Sequence, residues 1–148
     1  SLLKGYSPIL HLFSGRSSLG DVRIDREGFP EITKRMRIPA ANEGFRLPFE
    51  DLEFDATIMD PPWINQYFTW TSREVPRITR RRIVAITGMW WWEPHPKHVG
   101  WRLTAIYVVK KVSPVCKLVF VYDREQEAGG LSPFMGSNAT SAPGRSRT

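Results

Sequence analysis

Cysteine is nearly absent from this chain of 148 residues, with Cys116 the only one. A single thiol excludes an internal disulfide framework and suits a reducing compartment, so a cytoplasmic location is expected. Long apolar runs are missing too. No stretch approaches the roughly 18 residues needed to cross a bilayer, and no signal peptide is visible, so no membrane is expected as a partner. Histidine is scarce, with three in all. His95 and His98 lie close together without a cysteine beside them, which does not make a zinc site, and no metal is expected. Acids are outnumbered: 15 Asp and Glu face 21 Lys and Arg, giving a formal charge of +6 and a pI near 9.8. That balance favours a polyanionic partner such as nucleic acid.

What is present is enough for one core. Apolar residues make up 41% of the chain, which at this length predicts a single domain over residues 1–124. Beyond it the composition turns to Gly, Ser, Pro and Arg with almost no core formers, so residues 125–148 read as a disordered tail.

The chain is organised around Phe54-Asp55-Ala56-Thr57-Ile58-Met59-Asp60-Pro61-Pro62-Trp63. A mostly apolar run of strand length stops on a carboxylate, two prolines and an indole, and the ends of strands are where ligands bind in open α/β sheets. Pro61 and Pro62 fix two φ angles and remove two N–H donors, leaving stiff backbone that offers carbonyl acceptors. Ionised Asp60 only accepts. Trp63 adds a flat apolar face. Acceptors that take two amino hydrogens beside an indole that stacks on a ring suit a planar group carrying NH2, such as a nucleobase amine. The plainer alternative is a rigid Pro-Pro turn with a packed Trp.

Upstream, Ile9-Leu10-His11-Leu12-Phe13 reads as a buried strand running into the small-residue loop Ser14-Gly15-Arg16-Ser17-Ser18-Leu19-Gly20. Asp21 to Asp25 is a second short strand ending on an acid. Strand, glycine loop and acid-terminated strand form the arrangement by which Rossmann-like folds hold a nucleoside; a tight turn between two strands is the alternative. Only Ser14 to Asp21 separate the strands, less than a parallel crossover normally needs, so the first helix is expected to be shortened or absent.

Asp60-Pro61-Pro62-Trp63 after an apolar strand resembles the catalytic motif of the amino-methyltransferases. These are class I S-adenosylmethionine (SAM) enzymes that methylate adenine N6 or cytosine N4. By average composition Asp-Pro-Pro followed by an aromatic should occur by chance about once in a thousand such chains, so the resemblance is fairly specific. Phe13-Ser14-Gly15 is similar to the start of that family's Phe-x-Gly-x-Gly cofactor motif, with Ser17 replacing the second glycine. Asp25 falls where the ribose-binding acid would be. Leu47-Pro48-Phe49 with Asp51 also matches the segment before the catalytic strand, and that register implies that Glu43, or else Asn42, reaches the cofactor's adenine amine.

The resemblance covers roughly residues 9–123. It implies an α/β fold: a compact Rossmann-like SAM methyltransferase sheet with helices on both faces and an antiparallel C-terminal hairpin. It implies SAM as cofactor and Asp60, Pro61, Pro62 and Trp63 as catalytic residues acting on a nucleobase amine in DNA or RNA, adenine before cytosine. A non-catalytic domain that binds nucleic acid or a partner protein is the competing reading.

The remaining stretches fill in the sheet and its surfaces. Ser72 to Arg82 reads as a helix broken or delayed by Pro76. Its dense cations read either as a solvated helix end or as phosphate contacts, Arg80 and Arg81 among them. Ile83 to Thr87 is a buried strand, followed by a tryptophan-rich segment. Trp90, Trp91 and Lys97 there have the types that base stacking with phosphate contact requires, while a hydrophobic plug is the alternative. Leu103–Val109 and Lys117–Tyr122 are two strands joined by a link short enough for an antiparallel hairpin. With few residues outside the core fold, a second subunit is a candidate source of specificity.

Overall fold

The computed structural model describes residues 1–25, 33–35, 44–62, 67–88, 90–112 and 115–125. The tail expected over 125–148 lies outside these residues apart from Glu125. The elements are β1 (Ile9–Leu12), β2 (Val22–Asp25), β3 (Lys34–Arg35), β4 (Phe54–Met59), α1 (Phe68–Ile78), β5 (Thr79–Thr87), β6 (Trp101–Lys110) and β7 (Cys116–Arg124). Among the described residues the strands form one seven-stranded sheet in the order β3-β2-β1-β4-β5-β7-β6. The pairs from β3 through β5 are parallel, whereas β7 runs antiparallel to both β5 and β6. This is the expected α/β sheet with its antiparallel hairpin. All six residues of β4 are buried, as befits a parallel strand covered on both faces.

The first crossover has no helix. β1 and β2 are parallel neighbours, with Leu12 opposite Ile24, although only residues 13–21 join them. The link folds back along β1: Asp21 N–H donates to Ile9 C=O at 2.8 Å, and Ile9 N–H donates to Asp21 Oδ2 at 2.8 Å. His11 lies beneath it, with Nδ1 3.1 Å from Leu19 C=O. Burial pushes the His11 imidazole below its ordinary pKa, so it stays neutral under the loop. Gly20 is what allows the close approach. It has φ +98°, and a Cβ there would sit 3.1 Å from His11 Cβ and 3.4 Å from His11 N. Gly20→Ala is therefore expected to destabilise the chain by about 1–3 kcal/mol. Urea denaturation measures the loss, and an unchanged midpoint would show that the loop does not rest on β1.

Among the described residues α1 is the only helix, so the expectation of helices on both faces is not what they show. α1 covers one face, where Trp70, Val75 and Ile78 pack with Leu10, Leu12, Ile83 and Phe120. The other face is covered by the leading segment. Leu3 packs there with Ala56, Ile58, Val84 and Val119, flanked by Leu2 and Tyr6. Those three residues give the opening stretch an apolar side without helical spacing.

The helix expected over 72–82 is also displaced. α1 ends at Ile78 and the chain turns extended at Thr79, so Arg80, Arg81 and Arg82 stand on a strand rather than at a helix end. Pro76 lacks the N–H that would bind the Ser72 carbonyl; His95 N–H donates to that carbonyl instead, at 2.8 Å. The arginines are drawn along the sheet by partners on adjacent strands. Arg81 binds both oxygens of Asp55 at 2.8 and 2.7 Å, and Arg82 binds both oxygens of Asp123 at 2.7 and 2.9 Å.

Candidate active site

In this strand order the chain leaves β1 toward β2 on one side and returns to β4 on the other. The carboxyl ends of β1 and β4 therefore flank the switch point, where open α/β sheets bind ligands. Leu12 lies opposite Met59, and Asp60 N–H donates to Leu12 C=O at 3.3 Å. Sheet register thus brings Phe13-Ser14-Gly15 and Asp60-Pro61-Pro62 side by side.

The loop after β1 is pinned to the end of β2. Ser14 N–H donates to Ile24 C=O at 3.1 Å, and Gly15 N–H donates to Asp25 Oδ2 at 2.9 Å. Phe13 and Gly15 have φ of 60° and 56°. Glycine takes that conformation freely, while phenylalanine does so at a cost that surrounding contacts must offset. Those contacts are aromatic: the Phe13 ring meets Tyr67 edge-on at 5.2 Å and Trp70 at 6.1 Å. Its side chain serves the core, and its backbone shapes the loop. Between the two, Ser14 is buried and its hydroxyl has no partner among the described residues. An unpaired buried hydroxyl at a strand end calls for a ligand atom or water.

Asp60 is held from across the sheet. Lys117, at the start of β7, places Nζ 2.8 Å from Asp60 Oδ2, and the two side chains are 21% and 31% exposed. The carboxylate is fixed in direction yet open to solvent. Pro61 is buried and Pro62 exposed. Trp63, Glu43 and Asn42 lie outside the described residues. Sequence reasoning did not single out Lys117; its signal was a cation directly before the apolar run Leu118–Val121.

The expected nucleic-acid residues do not form one surface. Trp90 and Trp91 follow the carboxyl end of β5, the same end as Asp60. They are 40% and 55% exposed. Trp91 is anchored by its indole N–H to Glu93 Oε1 at 2.9 Å and by an edge contact with Phe120 at 5.0 Å. Cavities of about 210 and 370 Å³ flank it, the first also lined by Phe68 and Ser72, the second by Trp101 and Leu103. Trp92 is the plug of this segment: it is 1% exposed and donates from its indole to Thr71 Oγ1 at 3.2 Å. Lys97 is exposed on the turn that returns the chain to β6. Arg80 and Arg81 stand at the start of β5, the opposite end of the sheet from Asp60. Together with Tyr6, Arg82 and Arg124 they line a cavity of about 520 Å³. Their bonds there are structural. Arg80 reaches the carbonyls of Leu52 and Glu53, and the Arg81 guanidinium holds the Asp55 carboxyl below its ordinary pKa.

No protein-family model and no curated protein matches the chain. Among solved structures it is similar to the Burkholderia thailandensis 1,6-didemethyltoxoflavin-N1-methyltransferase, determined with 1,6-didemethyltoxoflavin and S-adenosylhomocysteine bound. The TM-score is 0.51 at 13% identity, over 80% of this chain and 71% of that one. The fold is therefore a Rossmann-like α/β fold, as in that structure. Among the described residues no helix is long and apolar enough to cross a membrane.

Proposed function

We propose that this chain transfers a methyl group from SAM to the exocyclic amine of a nucleobase, adenine N6 before cytosine N4, in DNA or RNA. The observation that carries the reading is the juxtaposition at the switch point. Gly15, bonded to Asp25, stands on one side, and Asp60-Pro61-Pro62 stands on the other. The buried, unpartnered Ser14 hydroxyl supports a ligand against this loop, and the chemistry of Ser14, Gly15 and Asp25 fits a nucleoside.

When bound, SAM supplies an electrophilic methyl group on its sulfonium. Asp25 accepts from ribose hydroxyls, and backbone at Phe13-Ser14-Gly15 lies beneath the nucleoside. Asp60 and the Pro61 carbonyl accept the two amine hydrogens and draw the nitrogen lone pair out of ring conjugation. The amine nitrogen held in this way would accept the methyl that SAM would supply, and Asp60 or solvent would take the amine proton. Lys117 keeps the Asp60 carboxylate in place throughout. By the motif resemblance Trp63 would stack on the base, and Trp91 offers an exposed indole for a neighbouring base. Positioning and electrostatics supply the acceleration.

Calorimetric titration with SAM and with S-adenosylhomocysteine tests the first requirement. Micromolar binding is expected, and its loss in Asp25→Ala. No binding up to about millimolar, weaker than roughly −4 kcal/mol, would overturn the enzyme and leave a non-catalytic binding domain. One observation favours a smaller acceptor on the same fold: the similar structure's own substrate is 1,6-didemethyltoxoflavin. Methyl transfer to free heterocycles but not to oligonucleotides would decide for that acceptor.

A further inference from the structure

Among the described residues β6 is the outermost strand on its side of the sheet and, at 10 residues, the longest. In its first half exposed and half-buried residues alternate, Trp101, Leu103 and Ala105 turning toward the core. The pairing register with β7 shifts between Leu103 and Ala105, and beyond it the alternation stops. Ile106, Tyr107, Val108 and Val109 are 42%, 47%, 68% and 42% exposed, and Val112 and Val115 extend the patch past the strand. Successive strand residues point to opposite faces, so both faces of this half of β6 are bare among the described residues. Isolated exposed apolar residues are ordinary; a run of four with two more behind it marks a contact surface.

The shape of the patch restricts what can cover it. A helix laid on one face would reach every second side chain and leave the outer row of N–H and C=O groups unpaired. A strand added to the edge satisfies the backbone, and its own sheet carries side chains to both faces. Free edges are normally blunted by proline, inward charges or short length. β6 contains no proline, and its charges, Arg102 and Lys110, sit near its ends.

We infer that β6 pairs with β6 of a second copy of this chain, antiparallel about a two-fold axis, joining the two sheets into one. Head-to-tail addition is poorly served, because among the described residues the sheet's other edge is β3, two residues long and both cationic in sequence. A two-fold axis normal to the sheet sets one residue opposite its own copy. With Tyr107 on the axis, Ile106 faces Val108 and Ala105 faces Val109; with Val108 on it, Tyr107 faces Val109. In the first register Lys110 falls opposite Thr104 and Lys111 opposite Leu103, so no cations oppose each other. Parallel in-register pairing would set Lys110 beside Lys110, which is destabilising. The contact is self-complementary and closed, as two-fold interfaces are. The axis also reverses strand direction, so the two candidate sites open at opposite ends of the joined sheet. The inference is independent of the methyl-transfer reading.

Analytical ultracentrifugation across micromolar concentrations tests it. The chain is expected to sediment at twice its 17.1 kDa. Val108→Lys and Val108→Glu, at a side chain 68% exposed, should each sediment at the single mass with unchanged circular dichroism. Mixed in equal amounts they should recover the double mass, because the axis brings the new charges together. A wild-type chain at the single mass throughout, association that grows without limit, or variants that still pair with themselves would each overturn the inference.

Discussion

Asp60→Ala is expected to lower methyl transfer by about a thousandfold or more while leaving the fold intact. Removing one preorganised group that stabilises developing charge typically costs about 10²–10³ in kcat. Under the proposed function Asp60 would supply more than one such interaction: it would orient the amine, draw out its lone pair and offset the positive charge that grows on nitrogen. The fold should survive, because the strand-end contact is made by the Asp60 N–H to Leu12 C=O, which alanine keeps. The lost Asp60–Lys117 pair is partly exposed, and such pairs contribute at most about 1 kcal/mol after solvent screening. Tritiated methyl transfer from SAM to single-stranded adenine-containing oligonucleotides, read beside a thermal melt, measures both halves. Retention of a tenth of wild-type turnover in a folded Asp60→Ala chain would end the assignment. Asp60→Asn keeps one acceptor oxygen and should fall between the two.

Local physics made part of this structure legible from sequence. The β4 run, the acid closing β2 and the short link after β1 are local patterns. Each led to the right element, including a first crossover without a helix. The hairpin of β6 and β7 was visible because its link is too short for anything else. What sequence could not give was set by distant pairing. Arg80, Arg81 and Arg82 read as a helix end until Asp55 on β4 and Asp123 on β7 are seen beside them. The leading segment has no period, yet Leu3 closes a face of the sheet, because it meets Ala56, Ile58 and Val84 only in three dimensions. Within the candidate site, Asp25 and Asp60 came from motif; Lys117 did not, being 57 residues from its partner. The tryptophan segment divided in a way composition could not foresee. Trp92 fills the core, while Trp90 and Trp91 stay in the open.

Glu74→Ala is expected to destabilise the chain by about 3–5 kcal/mol, the range for removing one partner of a buried ion pair. Glu74 lies on the buried face of α1 with its side chain 9% exposed, and its partner Arg77 is 10% exposed. Arg77 donates Nη2 to Oε1 at 2.7 Å and Nε to Oε2 at 2.8 Å, and Oε1 also accepts from Leu47 N–H at 2.7 Å. The Glu74 carboxylate, by these hydrogen bonds, raises the already high pKa of Arg77. Arg77 in turn donates to the carbonyls of Leu47 and Phe49. The pair is thus the clamp that fixes Leu47-Pro48-Phe49 against the helix leading back from the Asp60 end of the sheet. Alanine would strand a buried N–H and leave the Arg77 guanidinium with the exposed Asp51 carboxylate, 2.9 Å from Nη1, as its one remaining carboxylate partner among the described residues, and both losses are costly in low dielectric. At this chain length the loss corresponds to a fall in Tm of roughly 10 °C. Glu74→Gln keeps the acceptor for Leu47 and should cost less, while Arg77→Met with Glu74→Leu should recover part of the loss by removing both charges. A Glu74→Ala chain within about 1 kcal/mol of wild type would show that the clamp does not hold this segment to the helix.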